Sequence, residues 1–83
     1  MSQRTETICQ VVEQALKQAA QTDTLSAPVT ADSQMNSPRE WDSLAFVSVF
    51  LAVSQHFGIE VEEDDAIHFT SIAGINEFLD EAL

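Results

Sequence analysis

At 83 residues the chain makes one domain at most and buries only about 60–65% of its unfolded surface, too little to enclose a deep, water-free catalytic cleft. Fourteen Asp and Glu against three Lys and Arg give a formal net charge of -11. That field repels nucleic-acid phosphates and anionic lipid and attracts partners with basic patches.

The hydrophobic fraction of 45% suffices for a folded globule, and a lone Cys9 excludes an intrachain disulfide. The stretch from Met1 to Glu6 carries no apolar signal segment, and no apolar run approaches the roughly 18 residues of a bilayer span. A cytoplasmic chain with no stable membrane insertion and no nucleic-acid partner is expected.

From Thr5 to about Gln21, the residues Ile8, Val11, Val12, Ala15, Leu16 and Ala19 recur in steps of three and four, the pattern of an amphipathic helix. Cys9 falls within it and reads as a small packing residue. Between Thr22 and Asp42 the periodicity is lost, and Pro28 and Pro38 break any regular element. Leu25, Val29 and Met35 are spaced as anchors that would pin this long loop across the helices.

Asp42 or Ser43 can cap a second helix from Ser43 to about His56, which stops at Phe57-Gly58. Residues 59–65 form a short acidic connector with Ile59 and Val61 directed inward, followed by a brief helical turn around Asp64 to His68. Thr70 or Ser71 then caps a last helix with a stripe of Ile72, Ile75, Phe78, Leu79 and Ala82. No strand alternation persists. The pattern predicts a single all-α domain over residues 1–83, with three main helices, one short helix and one long loop between helices 1 and 2.

The second helix carries two apolar lines. At about 100° per residue, Phe46, Val49, Phe50, Val53 and Phe57 share one face, while Leu44, Val47 and Leu51 form a line displaced by on the order of 130°. A thin core buries the first and leaves the second partly exposed, and an exposed apolar stripe on a small acidic protein marks a partner surface.

Ser43 lies where loop becomes helix, beside Asp42 and Leu44. A phosphate esterified there would sit at the positive end of the helix dipole; on the bare sequence Ser43 is equally an ordinary cap. As a catalytic nucleophile it would need a base within reach. His56 is thirteen residues further along the same helix, about 20 Å away, and nothing places His68 nearby. There is no Gly-x-Ser-x-Gly elbow. The expectation is therefore no enzyme and no catalytic residue, with a hydroxyl that another enzyme modifies. The acidic run from Glu60 to Asp65 lacks the glycine and closing glutamate of a calcium loop, and no Cys/His cluster has zinc spacing, so no metal site is expected.

Trp41-Asp42-Ser43-Leu44, then Val47, Val49-Phe50-Leu51 and Phe57-Gly58-Ile59-Glu60-Val61, resemble the acyl carrier protein family. Asp64-Asp65-Ala66, Phe69-Thr70-Ser71-Ile72 and the final amphipathic helix continue the match, so the likeness covers the whole chain in helix order. The resemblance implies a monomeric four-helix bundle with Ser43 as the covalent attachment site of 4′-phosphopantetheine and Asp42 as its motif neighbour. In that family a phosphopantetheinyl transferase moves the arm from coenzyme A onto the serine in a magnesium-dependent reaction. Further expected partners are an acyl-loading ligase or acyltransferase and a ketosynthase or other acyl-processing enzyme.

Phe46, Val49, Phe50, Phe69 and Ile75 are the expected lining of an acyl pocket, and Leu44, Val47, Leu51, Trp41 and Glu40 the expected docking residues. Fatty-acid carriers usually place several acidic residues on the helix after the serine, whereas residues 45–58 here contain no Asp or Glu. Docking should therefore lean on the apolar line rather than on charge, which suggests a specialised fatty acid, lipid or polyketide pathway. An aminoacyl or peptidyl carrier, and an unmodified acidic helical interaction module, are the alternatives.

Overall fold

The computed structural model describes residues 3–82. Three α-helices and one 3₁₀ segment follow in the order α1 (Gln3–Ala20), α2 (Ser43–Phe57), the 3₁₀ segment Glu63–Thr70 and α3 (Ile72–Ala82). There is no named strand among the described residues, and the architecture is the expected all-α arrangement of three main helices and one short one. α1 packs against both α2 and α3, and the 3₁₀ segment closes the other side by packing against α2 and α3.

The stripes converge on one core. Ile8, Val12 and Leu16 of α1 meet Val49 and Val53 of α2, Phe69 of the 3₁₀ segment, and Ile72, Ile75 and Leu79 of α3, all essentially without solvent contact. Each such side chain contributes about 1.5–3 kcal/mol of transfer free energy. Cys9 is half-buried against this core, and burial together with the nearby Glu13 and Glu6 carboxylates pushes its thiol up.

α2 departs from the expected wheel. Its fully buried line is Ala45, Val49 and Val53, while Phe46, Phe50 and Phe57 are only half-buried. The buried face is thus turned by roughly 80° from the centre of the aromatic line. Small side chains suit that face: Ala45 is fully buried and Ala52 packs at the edge of the core. Phe50 instead meets the 3₁₀ segment, its ring edge to face with that of Phe69 at 4.9 Å.

Both α1 and α2 end in a left-handed residue. Gly58 adopts φ 63° after α2, and the Ile59 amide donates to the Ser54 carbonyl at 3.1 Å. Gln21 takes the equivalent place after α1 at φ 53°, with the Thr22 amide donating to Lys17 at 3.0 Å. The Glu62 and Asp65 side chains cap the start of the 3₁₀ segment reciprocally. That segment runs to Thr70, longer than the brief turn expected from sequence.

The long loop is held at several points. Leu25, Val29 and Met35 pack against the core as the expected anchors. The Met35 amide donates to the Thr70 carbonyl at 2.8 Å and the Ile72 amide to the Ser33 carbonyl at 3.0 Å, tying the loop to the junction of the 3₁₀ segment and α3. At that junction the Ser71 hydroxyl accepts from the Gly74 amide at 3.0 Å.

Candidate functional site: the serine at the start of the second helix

Loop geometry decides what Ser43 can do. Residues 34–41 turn back on themselves through Gln34 and Ser37, which exchange both backbone bonds, and through the Asn36 amide, which donates to the Trp41 carbonyl at 2.9 Å. This turn drives the Trp41 indole into the core, where it is fully buried. Trp41 therefore corrects the expectation of a docking residue. A tryptophan ahead of an exposed motif looks like surface in sequence, but here it anchors the loop so that Asp42 and Ser43 emerge at a fixed point. Its indole N–H is buried with no acceptor among the described residues, at a cost of about 1–3 kcal/mol.

Asp42 is the cap. Its backbone is extended, and its Oδ1 accepts from the amides of Leu44 at 3.1 Å and Ala45 at 2.9 Å. The Asp42 carbonyl accepts from the Phe46 amide at 2.8 Å, the first helical bond. Because Asp42 has taken that role, Ser43 is left as the first helical residue, exposed to solvent. No hydrogen bond engages its hydroxyl among the described residues. The reading of Ser43 as an ordinary cap is thereby removed. An esterified phosphate at that oxygen would meet no packed neighbour.

The apolar line beside it is exposed as expected: Leu44 at 83%, Val47 at 52% and Leu51 at 51%. One further residue escaped the sequence reading. Ile67, on the 3₁₀ segment that packs against α2, is 73% exposed. The signal was present in its spacing, since Phe69 two positions later is buried and a 3₁₀ turn of about three residues cannot direct both inward.

Glu40, the other expected docking residue, is engaged within the chain. Its Oε2 accepts from the Ser26 amide at 3.0 Å and its Oε1 from the Ser26 hydroxyl at 2.8 Å. That hydroxyl is the main cause that holds the Glu40 carboxyl below its usual range. Glu40 thus clasps the early part of the loop to the segment ahead of Ser43.

The five residues expected to line an acyl pocket come together partly. Val49, Phe69 and Ile75 are fully buried and Phe46 and Phe50 half-buried, with Phe46 and Phe50 stacked at 6.2 Å between ring centres. They meet as packed core. The hollows between elements are lined by other residues, such as an open groove of about 520 Å³ between α1 and α2 bordered by Gln10, Gln14, Gln18, Gln55 and His56.

Neither histidine serves Ser43. His56 lies at the far end of α2 with its ring 5.1 Å from that of Phe57, and His68 stacks on Phe78 of α3 at 5.6 Å. Among the described residues no group of His, Cys, Asp and Glu is arranged to hold a metal ion, and no helix is long and apolar enough to cross a membrane. Comparison with protein-family models, with curated proteins and with solved structures gives no match.

Proposed function

We propose that this chain is a carrier protein, modified at Ser43 by a phosphopantetheinyl transferase and presenting a tethered acyl group to partner enzymes. One observation carries the reading: the Ser43 hydroxyl is exposed and unbonded at the first position of α2 because Asp42 performs the capping. The resemblance of Trp41-Asp42-Ser43-Leu44 and the downstream helices to acyl carrier proteins supplies the chemical identity of the modification.

In the modifying step the Ser43 oxygen attacks the phosphorus of coenzyme A that bears pantetheine. A new Ser43 O–P bond forms, the diphosphate P–O bond breaks with departure of the adenosine bisphosphate, and the hydroxyl proton passes to a base of the transferase. When bound, the arm supplies a terminal thiol on which an acyl group is held as a reactive thioester.

This chain's residues contribute position. Asp42 fixes the first turn and hence the direction in which the Ser43 oxygen faces. Leu44, Val47 and Leu51 offer a ridge free of charge along α2, on which partner enzymes dock by apolar burial, with the acidic segments Glu60–Asp65 and Glu77–Glu81 outside it. The ridge without carboxylates favours a specialised lipid, fatty acid or polyketide pathway; an amino acid cargo would use the same arm and serine.

Incubation of the apo chain with coenzyme A, magnesium and a promiscuous transferase tests the proposal by intact-mass measurement. The expected result is a gain of one phosphopantetheine on the chain and none on Ser43→Ala. No gain across several transferases would favour an unmodified acidic interaction module instead.

A further inference from the structure

We propose that the 3₁₀ segment and the loop that presents Ser43 open and close as one unit, so that an event on the segment is felt at the serine. The segment has the lightest hold on the core. Among its residues Phe69 alone is fully buried, whereas α1, α2 and α3 each bury three or more. Its helical backbone is interrupted at Phe69, at φ -100° and ψ 23°, and 3₁₀ hydrogen bonds are poorer than α-helical ones. The Phe69 ring docks it, 4.9 Å from that of Phe50 on α2 and 5.3 Å from that of Phe78 on α3.

Two backbone bonds carry the position of this element into the loop. The Met35 amide donates to the Thr70 carbonyl at 2.8 Å and the Ile72 amide to the Ser33 carbonyl at 3.0 Å, so residues 33–35 are clipped across the junction of the segment and α3. The chain then enters the turn directly: the Asn36 amide donates to the Trp41 carbonyl at 2.9 Å and the Trp41 amide to the Pro38 carbonyl at 3.0 Å. Buried Trp41 is followed at once by Asp42, which caps α2, and by Ser43. The Ser26–Glu40 clasp joins two parts of the loop and ties it to no helix. Undocking Phe69 therefore breaks the clip and releases the turn that seats Trp41 and aims Ser43. Ile67, 73% exposed on the segment, is the handle. An enzyme that buries Ile67 while the segment is docked stabilises the closed unit and steadies the serine it must reach. That use rests on the carrier reading; the coupling does not.

Native-state hydrogen exchange of the unloaded chain at low denaturant tests the coupling. The Met35 and Ile72 amides report the clip, the indole N–H of Trp41 reports the turn, and the Val12 amide in the middle of α1 reports global unfolding. The expected result is one opening free energy and one denaturant slope shared by Met35, Ile72 and the Trp41 indole, with a slope below that of Val12. Phe69→Leu should then speed exchange at all three by a common factor of about ten. A Trp41 indole that exchanges only with the global slope would overturn the coupling. So would one that keeps its wild-type rate while Phe69→Leu speeds Met35 and Ile72. The slopes are read on the wild-type chain, so they decide the matter even where Phe69→Leu fails to fold. No step needs an arm on Ser43, so a failed loading experiment overturns the carrier reading and not the coupling.

Discussion

Two neighbouring residues divide the work at the start of α2, and the division is testable. Asp42 holds the amides of Leu44 and Ala45, so Asp42→Ala should cost about 1 kcal/mol, seen as a fall in Tm of roughly 4–8 °C. Ser43→Ala should leave Tm nearly unchanged, since its hydroxyl has no partner among the described residues. A large loss in Ser43→Ala would return the serine to a structural role. The ridge divides from the core in the same way. Leu51→Asp, at a position 51% exposed, should spare stability and slow turnover with partner enzymes, whereas Val49→Ala, fully buried two residues earlier, should cost about 2 kcal/mol. Thermal melts of the two side by side check this; comparable losses would place Leu51 in the core.

At the scale of elements, α1 and α2 end in the same left-handed turn, filled once by Gln21 and once by Gly58. A side chain at positive φ is strained whereas glycine is not, so Gln21→Gly should stabilise by about 0.5–1 kcal/mol, and Gly58→Ala should destabilise by a similar amount. The Gly58 position has open space around it, so the cost there is conformational alone. Denaturant midpoints of the two variants should therefore move in opposite directions.

The elements show what a sequence can and cannot reveal. The three main helices were legible because Ile8, Val12 and Leu16, or Ile72, Ile75 and Leu79, repeat at helical spacing and bury as that spacing demands. The exposed ridge of Leu44, Val47 and Leu51 was legible for the converse reason, since one thin core cannot cover two faces. Trp41 was not, because its burial depends on a turn closed by backbone bonds among Gln34, Asn36, Ser37 and Pro38, which carry no periodic signature. Nor was the rotation of α2, since Ala45 and Ala52 suit the buried face through their smallness.

Across the whole molecule, charge sets the background. With a net charge of -11 and only two ion pairs among the described residues, self-repulsion opposes the compact state. Raising ionic strength from about 10 to 150 mM shortens the screening length from about 30 to 8 Å and should raise Tm. A Tm that fell with salt would mean that the acidic segments are locally compensated. The same field bears on association: like-charged copies repel, while a basic partner is drawn towards the acidic segments that flank an uncharged helix.

Mass spectrometry of the chain isolated from its native host probes the central claim most directly. Cleavage after glutamate releases Trp41–Glu60, a peptide holding Ser43 together with Ser48 and Ser54. The account predicts a phosphopantetheine on Ser43 alone, with any cargo riding on its thiol. A peptide found only in the unmodified state, or modified at Ser48 or Ser54 with Ser43 bare, would contradict it.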